Sequence, residues 1–415
     1  MKTKRAIEDL AVFGGQPAFQ KQLFVGRPNI GSRGSFLKRV NAMLDQRWLT
    51  NNGPYVQEFE RTLAELLDVR HFVAVCNGTV ALELAIRALE LKGEVILPSF
   101  TFIATAHALQ WHDITPVFCD IDPSTHSIDP QCLEALITSR TTGILGVHLW
   151  GRACPVEALS EISRRHGLKL VFDAAHAFAC SYRGRMIGGF GDAEAFSFHA
   201  TKFFNTFEGG GIATNDDELA QRLRLMRNFG FAGYDKVVSL GTNGKMNEIC
   251  AAMGLTELES MNEFIAHNYR NYRQYLKEFE SLPSISMLRY DETEKCNYQY
   301  VVVEIDDKTS LVSRDELAEI LCSENVIARR YFYPGCHLMA PYRERSIASG
   351  VTLPETERLA HRVLVLPTGT AVGADEISQI CHIIRFVLGR DTELRKRIDE
   401  QTRFRQSNSP MSPDE

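Results

Sequence analysis

The sequence has no surplus of positive charge. Its 46 lysines and arginines are outnumbered by 52 acidic residues, for a net charge of -6. A nucleic-acid surface wants a basic face, so that class of partner is excluded. No apolar stretch reaches the roughly 20 residues that a membrane helix needs. No apolar run follows the early lysines of "MKTKRAIEDLAVFGG", so neither a membrane partner nor a signal peptide is expected. The ten cysteines never stand as C-x-x-C. They read as reduced, buried small hydrophobes, which fits a cytoplasmic, reducing compartment; Cys76 and Cys180 are read as structural. No H-E-x-x-H or comparable ligand spacing occurs, which leaves a metal enzyme unsupported. Although 29 glycines are present, no G-x-G-x-x-G follows the first strand-like run. The triple glycine at 209–211 leads into a strand rather than a helix, so a dinucleotide fold is not indicated.

What is present is a patterned α/β chain. Seven short apolar runs lie between residues 71 and 215: "HFVAVCN", "EVILPS", "ITPVFCDI", "TTGILGVHL", "KLVFDAA", "AEAFSFH" and "GGIATN". Helical or loop segments separate them. The first such segment, "GTVALELAIRALELKG", has an apolar face of Val80, Leu84, Ala81, Ala85 and Ala88. Near-continuous apolar strands alternating with helices predict a mainly parallel seven-stranded sheet covered on both faces. Past residue 265 the pattern changes to a charged helix, strands such as "NYQYVVVEID" and the helix-like "SRDELAEILCSEN". At 415 residues a large domain and a smaller one are expected. The division predicted is an N-terminal segment over 1–30, a large domain over 31–265, and a small α+β domain over 266–400. A disordered polar tail over 401–415 would follow.

In such sheets ligands lie outside the carboxyl ends of the strands. The first strand ends at Asn77, Gly78 and Thr79, where free N–H groups and the helix dipole make either an anion site or an ordinary cap. The second ends in "PSFTFIATA", which offers Phe100 and Phe102 as ring-stacking or core aromatics. The fifth ends at Asp173, a carboxylate that needs a partner if buried, with His176 three residues on. The sixth is followed by Ser197, His199, Thr201 and then Lys202. A held, partly desolvated lysine is a nucleophilic amine; a solvated one is ordinary. Glycines after Glu208 would keep the backbone slim beside a ligand. Taken together, an anion site, a flat aromatic, an acid and an amine are the four things pyridoxal phosphate requires. The acid would keep the pyridine nitrogen protonated, since a nearby opposite charge is worth roughly 1–3 pKa units.

The sequence resembles the DegT/StrS family of pyridoxal-phosphate-dependent sugar aminotransferases. The likeness spans roughly residues 45 to 370 and is carried by "RWLTNNGPYVQEFE", "CNGTVALELAI", "PSFTFIATA", "FCDIDPSTHSIDP", "VHLWGRACPVEAL", "VFDAAHAFA", "FSFHATKFFNTFEGGGIATN", "GTNGKMNEICAAMGL" and "RRYFYPGCH". The resemblance implies an aminotransferase fold of type I. It implies that Lys202 forms the Schiff base and that Asp173 partners the pyridine nitrogen. Gly78 and Thr79, with Ser197, match the phosphate cradle, Phe102 the stacking aromatic, and His176 the side chain near the phenolic oxygen. Asn243 matches the residue that reaches the neighbouring subunit's phosphate, implying a homodimer with shared sites. Relatives that remove oxygen carry histidine at the lysine position; this chain keeps Lys202.

The stretch "HATKFFNTFEGG" most resembles enzymes that aminate C4 of dTDP-4-keto-6-deoxy-glucose in deoxyaminosugar pathways of antibiotic biosynthesis. L-Glutamate is the implied donor and a nucleotide keto sugar the acceptor. Arg329 and Arg330 are candidates for the sugar's diphosphate, or a solvated pair. Two alternatives stand beside this reading: an aminotransferase for a 3-keto or GDP-linked sugar, and a silent sensor of the same fold. Intact Lys202 and Asp173 speak against the second.

Overall fold

The structure is a computed structural model that describes residues 4–407. Its centre is a seven-stranded sheet: β1 (His71–Val75), β2 (Glu94–Pro98), β3 (Thr115–Cys119), β4 (Thr141–Val147), β5 (Lys169–Asp173), β6 (Ala193–Ser197) and β7 (Gly210–Thr214). All seven apolar runs are strands. Their order is β1-β7-β6-β5-β4-β2-β3. The pairs from β6 across to β3 are parallel, whereas β7 runs antiparallel to both β1 and β6. Alternation along each strand sends side chains to two cores. Phe72, Ala74, Phe196 and Ala213 enter one; Val73, Val75, Ala195 and Ile212 enter the other. Helix α1 (Gly78–Ala88) covers the second face through Ala81, Leu84 and Ala85.

The glycines after Glu208 differ in purpose from the expectation, because they face the protein. A Cβ on Gly211 would stand 2.2 Å from the Phe72 ring, and one on Gly210 would stand 2.6 Å from the Asn77 carbonyl carbon. They let β7 wedge between β1 and β6 and press against the turn that starts α1.

Past β7 the helix α2 (Glu248–Phe279) is 32 residues long. The boundary expected at 265/266 falls inside it. Its first half is buried in the large core through Ala251 and Leu255, and its end in the smaller one through Tyr275 and Phe279. The smaller part has three antiparallel strands, β8 (Ile285–Met287), β9 (Val301–Ile305) and β10 (Val363–Leu366). Helices α3 (Arg314–Ser323) and α4 (Ala374–Leu388) complete its core. The N-terminal segment joins both parts. Leu23 and Phe24 pair with Val326 and Ile327, and Asn29 donates to the Phe203 carbonyl at 2.8 Å. A final helix, Asp391–Ser407, enters the stretch expected as tail; residues 408–415 lie outside the described residues.

Candidate active site

The carboxyl ends of β1, β5 and β6 and the loop after β2 open on one cavity of about 530 Å³, a size typical of small-molecule sites. Its lining includes Gly78, Thr79, Phe102, Asp173, His176, Ser197 and Lys202. Residues from four strand ends therefore meet.

At the start of α1 the Asn77 side chain accepts from the Val80 N–H at 2.8 Å. That cap leaves the Gly78 and Thr79 N–H groups with no partner among the described residues, facing the cavity at a positive helix end. Gly78 is needed for close approach. A Cβ there would lie 2.7 Å from the Ser197 Cβ, so glycine brings the Ser197 hydroxyl beside the two N–H groups. The result is a cradle for a phosphate-sized anion.

Asp173 is buried at the end of β5. Its carboxylate accepts from the Ala175 N–H at 3.0 Å and from the Thr105 hydroxyl at 2.9 Å. Burial still pushes its pKa up, although these bonds and Lys202 oppose the shift. Lys202 is half-buried, with its N–H donating to the His199 carbonyl at 2.8 Å. Burial lowers its amine to about 8, against the pull of Asp173. Both groups are thus driven toward neutrality, the state in which an amine is nucleophilic. A cation brought next to Asp173 would restore its charge.

His176 is buried and held in one orientation. Its Nδ1 accepts from the Trp150 N–H at 3.3 Å, and its ring lies 4.5 Å from that of Tyr300 and 5.8 Å from that of Phe332. Burial, with Lys202 adding to it, lowers its pKa well below the usual range. A neutral ring whose Nδ1 is an acceptor carries its proton on Nε2.

Of the two aromatics after β2, Phe102 lines the cavity and is 55% exposed, whereas Phe100 is 1% exposed and packs on Trp150 and Phe332. Of the two arginines, Arg329 lines the cavity, with its guanidinium 5.2 Å from the Tyr331 ring centroid. Arg330 lies outside it, paired with Asp315 at 2.9 Å. Asn243 is exposed and does not line its own chain's cavity. Cys180 is buried and Cys76 half-buried, both as free thiols.

Several residues in and behind the cavity escaped the sequence reading. Thr105, the hydroxyl donor to Asp173, lies in a helix whose pattern marks it only as buried. Tyr300, Tyr331 and Phe332 come from the smaller part, and Val25 and Gly26 from the N-terminal segment. Only "RRYFYPGCH", already part of the family likeness, held a signal.

An anion cradle, a flat aromatic, a buried carboxylate and an amine within one cavity fit pyridoxal phosphate and define an aminotransferase of fold type I. Residues 32–385 match the model of the DegT/DnrJ/EryC1/StrS aminotransferase family, and the chain belongs to that family. It is a pyridoxal-phosphate-dependent sugar aminotransferase. It is 36% identical over 366 residues to the dTDP-4-amino-4,6-dideoxy-D-glucose transaminase of Shigella dysenteriae, covering 88% of this chain and 99% of that one. It is 34% identical over 349 residues to GDP-perosamine synthase of Escherichia coli O157:H7, covering 83% and 93%. The crystal structure of DesI in the presence of its TDP-sugar product superposes with a TM-score of 0.90 at 48% identity. That match covers 95% of this chain and all of the other.

Proposed function

We propose that the enzyme moves an amino group from L-glutamate to the C4 keto group of dTDP-4-keto-6-deoxy-glucose, the two substrates using one cavity in turn. The observation that carries the chemistry is the Lys202–Asp173 pair, the amine half-buried and the carboxyl buried, both shifted toward neutrality in the same cavity. The nucleotide sugar is taken from the relatives named above. Bound pyridoxal phosphate supplies an electron sink for a carbanion. Lys202 Nζ would hold the cofactor through its aldehyde carbon, and as a free amine it would carry the proton away from the donor's α-carbon. The Asp173 carboxylate would keep the ring nitrogen protonated, and His176 Nε2–H would donate to the ring oxygen. Gly78, Thr79 and Ser197 hold the phosphate, Phe102 covers the ring, and Arg329 anchors the sugar's diphosphate.

The working unit is a homodimer in which Asn243 completes the partner's phosphate site. Two features support this. Asn243 is exposed and does not line its own cavity, and the nearby stretch exposes Phe229, Phe231, Tyr234, Val237, Val238 and Leu240, an apolar surface that wants cover. The ten free cysteines support a cytoplasmic, reducing setting.

The test is to load the purified enzyme, supply L-glutamate, and offer three acceptors: the dTDP-linked 4-keto sugar, its GDP-linked counterpart and a dTDP-linked 3-keto sugar. Turnover is expected for the first at a kcat/KM at least about tenfold above the others, a margin of ~1.4 kcal/mol in transition-state binding. Preference for the GDP-linked sugar or the 3-keto sugar would replace the acceptor; turnover of none would sink the reading.

A further inference from the structure

Seven buried side-chain polar atoms among the described residues lack a hydrogen-bond partner, and four of them belong to His126, Ser127, Trp150 and Arg152. These residues are neighbours. The His126 and Trp150 rings meet edge to face at 5.9 Å, and an Arg152 terminal nitrogen donates to the Thr125 carbonyl at 2.5 Å. Buried polar groups are satisfied almost everywhere in proteins, so such a concentration calls for a partner.

Beside them is a second cavity of about 220 Å³ that shares no residue with the cofactor cavity. It lies on the seam between the two parts of the molecule. Ser124, His126 and Arg152 come from the larger part; Met287, Leu288, Arg289 and Glu304 come from the smaller part. Its charges do not balance. Among the described residues neither Arg152 nor Arg289 has an acidic partner. Glu304, the acid on the wall, is already held by Arg358 at 3.4 Å and Arg362 at 3.3 Å. Asp122 nearby is occupied by the Ser124 hydroxyl and the Thr125 N–H.

Burial works against the Arg152 charge. Together with Arg152 and Arg358, it lowers His126 to about 4, so that ring is neutral and brings no counter-charge. The cavity has room for several waters or one tetrahedral anion. Water satisfies a donor but leaves a half-buried guanidinium uncompensated, whereas an oxyanion does both.

We propose that this seam cavity binds a small inorganic oxyanion of the phosphate or sulfate class, through the Arg152 Nε–H and the Arg289 guanidinium. The bound anion links Arg152 of the larger part to Arg289 of the smaller, so it reads out as stability. None of this depends on the acceptor sugar.

The test uses the holoenzyme, so that its own cofactor fills the cradle at Gly78. Inorganic phosphate is titrated against chloride at matched ionic strength while thermal unfolding is followed. Wild type is expected to gain stability saturably. Arg152→Gln and Arg289→Gln, each keeping its cofactor absorbance, are expected to lose that gain. Arg289 is exposed, so Arg289→Gln decides the matter if Arg152→Gln does not fold. A crystal grown with selenate is expected to show an anomalous peak between the two arginines. A wild type with no saturable gain, an Arg289→Gln holoenzyme that responds like wild type, or selenate found only elsewhere would each show that the cavity holds water alone and overturn the proposal.

Discussion

The Trp150 N–H donates to Nδ1 of His176 at 3.3 Å, and that one backbone bond decides which nitrogen of the ring carries the proton. With burial holding the ring neutral, Nε2–H is left to act as a donor in the cavity. Nitrogen-15 NMR of labelled histidine in the holoenzyme is expected to show His176 neutral and protonated on Nε2 across the pH range where an ordinary imidazole titrates. A donor lost from a developing charge costs roughly 100- to 1,000-fold in rate. His176→Phe is therefore expected to lose about 100-fold in kcat while keeping the cofactor. A ring that titrates inside that pH range would contradict the geometry.

Burying Asp173 costs the apoenzyme stability. Its folded pKa is raised above the ordinary 3.8 by burial. Between those two values the folded apoenzyme holds a proton that the unfolded chain has released. Stability therefore falls as pH rises through that window. Apo Asp173→Asn is expected to be more stable than apo wild type at neutral pH, with the gap closing once pH falls below the ordinary carboxylate value. The loaded variant is expected to transaminate roughly 10- to 1,000-fold more slowly, since a nearby opposite charge is worth about 1–3 pKa units. Differential denaturation and single-turnover rates measure the two effects.

Gly78 and Ser197 touch across the cradle. A methyl at residue 78 would lie 2.7 Å from the Ser197 Cβ and 3.2 Å from its Oγ, so the strand end must move away from the N–H groups. Gly78→Ala is expected to fold and to bind pyridoxal phosphate at least about tenfold more weakly, ~1.4 kcal/mol. Equilibrium dialysis against free cofactor reads this. Unchanged affinity would mean that the phosphate does not rest there.

The shared-site dimer makes a separate prediction. Lys202→Ala and Asn243→Ala homodimers are each expected to be impaired, the first inactive and the second weak in cofactor binding. A mixed dimer carries one site with both Lys202 and the partner's Asn243 intact. Co-expression and separation of the tagged mixed dimer should recover a substantial part of wild-type activity per dimer. No recovery would place Asn243 outside the partner's site.

The sheet was legible because parallel strands buried on both faces leave unbroken apolar runs such as "KLVFD" and "AEAFS". The cavity was legible for the same reason, since Gly78, Asp173, Ser197 and Lys202 all stand where such runs stop. The order of strands was less visible. Nothing local marks β7 as antiparallel, because the long loop after Ser197 hides the turn back along β6, and its other partner, Val75, is distant in sequence. Phe100 and Phe102 could not be separated by alternation alone, as a loop follows β2 and the period of two ends there. The long helix α2 hid its start because Ala251, Ala252 and Leu255 are buried, which blurs the one-sided pattern of a surface helix. Thr105 reaches Asp173, and Tyr300 and Tyr331 reach the cavity, only through tertiary packing, for which a single sequence carries no spacing rule.

The most direct test of the account is the visible absorbance of the loaded enzyme and of loaded Lys202→Ala, before and after L-glutamate. Loaded wild type is expected to show a visible band that L-glutamate abolishes and that the dTDP-linked 4-keto sugar restores. Because burial holds the Lys202 amine near a pKa of about 8, cofactor uptake by the apoenzyme should quicken as pH rises through that value. Lys202→Ala should show neither the glutamate response nor that pH dependence. A glutamate response that survives the loss of Lys202 would contradict the central claim, as would a wild type that takes up pyridoxal phosphate and never reacts.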